Sequence, residues 1–323
     1  SYRHFPERRM TDTSLFPAIR RVAIVGAGTI GASWAALFLA HGLEVVVSDP
    51  AADTEALTRA RVASAWPVLA ELGRVAAGAT PDGLRFEPDL AIALRDVDFV
   101  QENAPEREDF KTELFARMDA LLAPHAIVAS SSSGLIMSRL QARCENAGRF
   151  VIGHPFNPPH LIPLVEVVGG KQTSAATIDR CIDFYRQLGK YPIRVNKEVP
   201  GHIANRLQAA LWREAIHLAA ENVASVADID AAVSQGPGLR WALFGPHMTF
   251  NLGGGAGGLA HFMEHLLGPV QSWWDDLGTP DVTPELQQRL IEGVNAEAGT
   301  RSIADLAQAR DAQLTALLKA LQR

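Results

Sequence analysis

His154, Glu166 and the four consecutive serines Ser130, Ser131, Ser132 and Ser133 are the residues of this sequence best suited to moving a proton. Histidine titrates near neutral pH and serves as a general base. A carboxylate on its second ring nitrogen fixes the tautomer and stabilises the imidazolium that forms. Oxidation of a secondary alcohol needs such a base for the hydroxyl proton, together with an acceptor for the hydride. A histidine alone after a strand is more often a plain polar loop residue, so the weight rests on the combination.

The hydride acceptor has its own signature. Gly26-Ala27-Gly28-Thr29-Ile30-Gly31 is a G-x-G-x-x-G. Alone it is a weak signal. Here it follows a strand-like run (21–25), opens an apolar helical stretch (30–40), and precedes a second strand-like run (43–48) that ends on Asp49. Those are the contextual requirements of a dinucleotide-binding turn. Gly26 permits the turn, Gly28 lets the backbone approach a pyrophosphate, and Gly31 lets helix pack on strand. Thr29 and Ile30 begin the helix whose free N–H groups face the phosphates. Asp49 is placed to accept from the ribose hydroxyls, and Pro50-Ala51-Ala52 offers no Arg to a 2′-phosphate. NAD is therefore the expected cofactor.

These residues need a scaffold. Further strand-like runs occur at 84–86, 98–100, 126–129, 150–152, 164–168 and 191–195, with helical patterns between most of them. Continuous apolar strands alternating with helices predict a Rossmann-like, mostly parallel α/β sheet with helices on both faces. Ser133 and His154 then fall in loops after strand ends, on the cofactor side of the sheet. Pro67 should kink or split the helix predicted over 54–72. Beyond Val199-Pro200-Gly201 no strand pattern remains. Helices are expected at 202–223, 227–233, 261–267, 284–296 and 303–321. The chain thus reads as a leader (1–17), a Rossmann domain (18–199) and an all-α C-terminal domain (200–323). Gly253 to Gly258 reads as a short loop or close-packing site.

Composition sets outer bounds. Hydrophobic residues make up 47% and charged residues 20%, the balance of a globular protein. The net charge of −6 does not favour nucleic acid or an anionic membrane as partner. The two cysteines, Cys144 and Cys181, lack disulfide-framework or metal-ligand spacing, which suggests a reducing, cytoplasmic setting and no metal.

Several stretches carry a family likeness. Gly153-His154-Pro155-Phe156-Asn157-Pro158-Pro159 and Pro163 to Val168 resemble the signature of the 3-hydroxyacyl-CoA dehydrogenase family. Ser130 to Ser133 and Pro200-Gly201-His202-Ile203-Ala204-Asn205-Arg206-Leu207 do the same, in order and spacing. The resemblance implies His154 as general base and Glu166 as its orienting partner. It also implies that Ser133 and Asn205 bond the substrate oxygen or hold the base. Asn157, Glu106 and Lys111 match positions near the nicotinamide half of NAD, with a surface ion pair on a helix as the alternative for Glu106 and Lys111. Asn103 replaces the small residue usual in acyl-CoA members. The family further implies a homodimer through the helical half and a place in fatty acid metabolism.

The C-terminal part departs from the acyl-CoA enzymes. Residues 236–245, 258–263 and 301–306 resemble the branch that holds L-carnitine dehydrogenase, L-gulonate 3-dehydrogenase and lambda-crystallin. That points to a small free L-3-hydroxy acid such as L-carnitine, with a CoA thioester or L-gulonate as alternatives. A non-catalytic NAD-binding role stands as another class. A trimethylammonium group would want an aromatic cage. Trp241, Phe244, Phe250, Phe262, Trp273 and Trp274 are candidates, although aromatics fill helical cores or dimer interfaces at least as often. Residues 198–318 contain no lysine, which speaks against CoA and against a lysine base. Arg206, Arg213 or Arg240 could meet a substrate carboxylate.

Overall fold

The computed structural model describes residues 18–321. The leader expected over 1–17 lies outside them. The chain divides into two compact units between Ile203 and Ala204.

The first unit is built on one eight-stranded sheet: β1 (Arg21–Val25), β2 (Glu44–Ser48), β3 (Arg85–Phe86), β4 (Phe99–Glu102), β5 (Ile127–Ser130), β6 (Phe150–Pro155), β7 (Leu164–Gly169) and β8 (Tyr191–Val195). The spatial order is β3-β2-β1-β4-β5-β6-β7-β8. Every pair is parallel except β6 with β7. Each of the eight runs anticipated from sequence forms a strand.

Successive side chains alternate between two cores, as strand geometry demands. Val22 and Ile24 of β1 enter one, Ala23 and Val25 the other. The helices α1 (Thr29–Ala40) and α2 (Thr54–Glu71) cover the first face. The helices α3 (Leu90–Ala93), α4 (Glu108–Leu121) and α5 (Met137–Leu140) cover the second, and α6 (Ala175–Gln187) returns to the first. α1 is buried from Gly31 to Ala40, which explains its near-continuous apolar sequence. Trp34 and Phe38 of α1 form an aromatic cluster with Phe99, Phe184 and Tyr185, with ring centroids 4.5 to 6.5 Å apart. Pro67 does not split its helix: α2 runs unbroken through it.

The second unit is helical: α7 (Ala204–Ala220), α8 (Val226–Ser234), α9 (Pro237–Trp241), α10 (Pro246–Gly253), α11 (Gly258–His265), α12 (Leu267–Asp276), α13 (Pro284–Ala298) and α14 (Ile303–Ala320). α7, α8 and α13 pack together, and α10 packs on α11. Gly293 of α13 abuts α8, where an added Cβ would lie 2.5 Å from Val226. The glycine-rich stretch is a tight turn between α10 and α11. A Cβ on Gly254 would meet the carbonyl oxygen of Gly258 at 1.8 Å. No helix among the described residues is long and apolar enough to cross a membrane.

Candidate active site

β6 continues to Pro155, so His154 stands on the strand itself and not in the loop after it. The antiparallel β7 then sets Glu166 directly opposite His154 in the register. Nδ1 of His154 lies 2.8 Å from Oε2 of Glu166. A carboxylate only accepts, so Nδ1 carries the hydrogen of this contact, and in the neutral imidazole the lone pair is then on Nε2. Glu166 is fully buried and His154 is 5% exposed. The other carboxylate oxygen of Glu166 accepts from the backbone N–H of Ile203 at 2.9 Å. Both oxygens are thereby fixed.

The turn holding Ile203 also brings in His202, whose ring centroid lies 5.3 Å from that of His154. Its backbone is left-handed, with φ of 51°. Nε2 of His202 donates to the carbonyl of Ser132 at 3.1 Å, while its buried Nδ1 has no hydrogen-bond partner among the described residues. Burial pushes the His202 imidazole below its ordinary pKa, with the neighbouring His154 acting in the same direction. The sequence placed His202 within a family motif but gave it no role.

The serine run caps a second carboxylate. Oε1 of Glu106 accepts from Ser132 Oγ at 2.7 Å, Ser133 N at 2.9 Å and Gly134 N at 3.1 Å. Glu106 therefore sits in the loop before α4, tied to the loop after β5. Lys111 is not a surface partner on a helix face. It is buried on α4, with Nζ 2.6 Å from Oε1 of Glu102 and 2.9 Å from the carbonyl of Ala104. Glu106 is 3.9 Å away. Glu102 in turn accepts from Ser130 Oγ at 2.5 Å and Ala104 N at 2.6 Å. A polar pair inside an apolar strand, Gln101-Glu102, was the available signal for this buried group, and no local pattern names its partners.

The glycine turn opens at the carboxyl end of β1, between β2 and β4, where the strand order reverses. Gly26 has φ of 93°, and a Cβ there would lie 2.7 Å from the Asn103 backbone. A Cβ on Gly31 would stand 2.0 Å from the carbonyl oxygen of Gly26. At Gly28 nothing lies within 4 Å of the same position. Gly28 also begins α1 without any side-chain cap, and the first turn holds no acidic residue. Open space over uncapped helix N–H groups suits a pyrophosphate. Asp49 stands beside this turn, accepting from Ala27 N and Ala51 N at 2.9 Å each. The residues present fit NAD.

Asn157 is exposed just past β6. The loop it begins is held by Lys190, whose Nζ donates to the Pro159 carbonyl at 2.5 Å and also to Ile162, and by Arg74 on the His160 carbonyl at 3.0 Å. Asn205 lies in the first turn of α7, in the second unit. The candidate cage aromatics lie in that unit too. Of these, Phe250 and Phe262 form a ring pair with centroids 4.9 Å apart.

Comparison with known proteins agrees with this anatomy. The domain described as "3-hydroxyacyl-CoA dehydrogenase, NAD binding domain" matches residues 21–199, and "3-hydroxyacyl-CoA dehydrogenase, C-terminal domain" matches 201–284. The L-carnitine dehydrogenase of Nocardiopsis dassonvillei is 49% identical over 305 residues, covering 94% of this chain and 92% of that protein. The L-carnitine dehydrogenase of Streptomyces coelicolor is likewise 49% identical, over 94% of this chain and 96% of its own. Among solved structures, an NAD-dependent 5-formyl-3-hydroxy-2-methylpyridine-4-carboxylic acid 5-dehydrogenase superposes with a TM-score of 0.81 at 31% identity, over 94% of this chain and 99% of that one. The chain belongs to the 3-hydroxyacyl-CoA dehydrogenase family.

Proposed function

We propose that this protein oxidises the 3-hydroxyl of a small free L-3-hydroxy acid, L-carnitine foremost, to the 3-keto acid with NAD. The observation that carries the reading is the buried 2.8 Å contact between His154 Nδ1 and Glu166 on facing positions of β6 and β7. Glu166 holds the imidazole in the tautomer that leaves Nε2 free to take the hydroxyl proton, and it stabilises the cation that results. NAD, when bound, supplies the nicotinamide that accepts the hydride from carbon 3. Gly26, Gly28, Thr29, Ile30, Gly31 and Asp49 hold its adenosine and pyrophosphate. Glu106, Lys111, Ser133 and Asn157 serve its nicotinamide half, Lys111 acting through the loop it anchors. Ser133 and Asn205 steady the substrate oxygen or the base.

The free acid is preferred over a CoA thioester because Lys319 is the one lysine after Lys197, so the helical unit is poor in lysine for CoA phosphates. The L-carnitine dehydrogenases similar to this chain point the same way. A trimethylammonium group would find aromatic faces in the helical unit, among them the Phe250–Phe262 pair. We read residues 18–199 as the NAD-binding domain and 200–323 as the part that supplies the substrate's surroundings and a homodimer contact. Two unbonded cysteines, Cys144 and Cys181, support a reducing, cytoplasmic setting.

The test is NADH formation with L-carnitine, L-gulonate, 3-hydroxybutyrate and 3-hydroxybutyryl-CoA side by side. L-Carnitine should give the highest kcat/KM; a higher value for the thioester overturns the free-acid reading. His154→Gln should lower kcat by about 10³-fold, within the range of general-base contributions, while leaving the Kd of NAD unchanged. Wild-type turnover in that variant would end the proposed mechanism.

A further inference from the structure

A closed set of hydrogen bonds runs through the interior of the first unit, between the base strand and the cofactor turn. Gln101 lies in β4 and is fully buried. The hydroxyl of Tyr185, from α6, donates to its Oε1 at 2.6 Å. Burial holds this phenol well above its ordinary pKa, so it stays an O–H donor. With Oε1 accepting, the amide has one orientation. Its Nε2 then donates to Ser131 Oγ at 2.8 Å and reaches the carbonyl of Gly153 at 3.3 Å. Ser131 Oγ also accepts from Trp34 Nε1 at 3.2 Å and donates to Asn103 Oδ1 at 2.7 Å. Asn103 Nδ2 donates back to the main-chain carbonyl of Gln101 at 2.8 Å.

Two independent features show what this set fits. The Gly153 carbonyl lies one residue beyond the last β5–β6 pair, Ser130 with Ile152, so Gln101 stands in for the missing rung next to His154. At the same residue, a Cβ would lie 2.1 Å from the Tyr185 hydroxyl. The chain thus carries glycine beside its proposed base in order to admit the phenol. At the other end is Asn103, whose backbone closes over Gly26 and which departs from the small residue usual in acyl-CoA members.

We propose that Gln101, oriented by Tyr185, is a positioning residue that fixes the His154 strand relative to the cofactor turn. The proposal rests on His154 being the base. An interior polar group left unpaired is destabilising, so the set works as a unit. Displacements of about 1 Å at a reacting group lower rates by as much as about 10²-fold.

The experiment compares Gln101→Leu, Tyr185→Phe and the double variant with wild type and with His154→Gln. Expected for Gln101→Leu is a fall in kcat of about 10- to 100-fold, with the Kd of NAD within about twofold. Tyr185→Phe should show a smaller loss of the same kind. The double variant should be no slower than Gln101→Leu, because the phenol, which also meets the Cys181 thiol, reaches the His154 strand through the amide. Wild-type kcat in Tyr185→Phe, losses that multiply in the double variant, or a loss confined to NAD affinity would each overturn the proposal. Should Gln101→Leu fail to fold, Tyr185→Phe decides alone, since it removes only the oxygen. Full activity in His154→Gln would instead dismiss the base. Inactive His154→Gln beside fully active Gln101 and Tyr185 variants would dismiss only the present inference.

Discussion

The two units of this chain solve the burial problem differently. In the first, Trp34, Phe38, Phe99, Phe115, Phe150 and Tyr185 are buried to 3% exposure or less, and Lys111 with Glu102 and Arg149 with Asp119 form ion pairs in its interior. In the second, Trp212, Trp273 and Leu239 are 66%, 63% and 62% exposed, and few apolar side chains (Ile216, Ile229, Leu286 and Leu318 among them) are buried. An apolar groove between α7, α8 and α13 lies open, lined by Trp212, Ile229, Ile291 and Val294. The contrast teaches where function resides in each. A sheet closed on both faces can hold a base, its carboxylate and a cofactor turn at fixed distances. A helical array with open apolar faces offers surface for the homodimer contact proposed above.

The largest way to break this comparison is Lys111→Met. It leaves Glu102 buried without its cation, and should destabilise the first unit by about 3–5 kcal/mol. Urea unfolding followed by hydrogen exchange of the β1, β4 and β5 amides reports it. A midpoint equal to wild type would mean that the interior pairing of this unit is not what holds it.

A middle-sized effect is expected from Trp212→Glu in the other unit. It should weaken self-association by about 2 kcal/mol, roughly 30-fold in dimer Kd, if the open groove is the contact. Sedimentation equilibrium measures the shift, and NAD binding by the first unit should be unaltered. An unchanged Kd removes the groove from the interface.

The smallest effect is on pH dependence. Burial holds His41 and His202 below their ordinary value of 6.5. The unfolded chain then binds protons at a higher pH than the folded one, so stability is complete above 6.5 and declines as pH falls below it. Tm measured between pH 7.5 and 5.5 should drop on the acid side, and His202→Phe should reduce the drop. A Tm that rises on acidification would contradict the sign.

Much of the first unit was legible because its signals are local. The glycine turn, Asp49 and eight apolar runs mark the sheet without reference to anything distant. What escaped depends on pairing between remote segments. The extension of β6 through His154 is set by β7 hydrogen-bonding back along it, which no window around residue 154 contains. Gln101, Glu102 and Lys190 draw their meaning from partners at 185, 111 and 159–162. In the second unit α9, α10 and α12 were missed: they are short, and glycine and proline interrupt the periodicity that reveals a helix. α2 passed through Pro67 where a kink or split was expected, since packing of Val62, Ala65 and Leu69 into the core shared with α1 outweighs one missing N–H.

The facing positions of His154 and Glu166 have one more implication. Neighbours along a strand point to opposite sides, so sliding β7 by a single rung presents valine, Val165 or Val167, to the imidazole and turns the acid away. Gradual drift between working and failed alignments is thus closed to this fold: descendants can remodel the hairpin connecting these strands, but the pairing behaves as a switch with one productive setting.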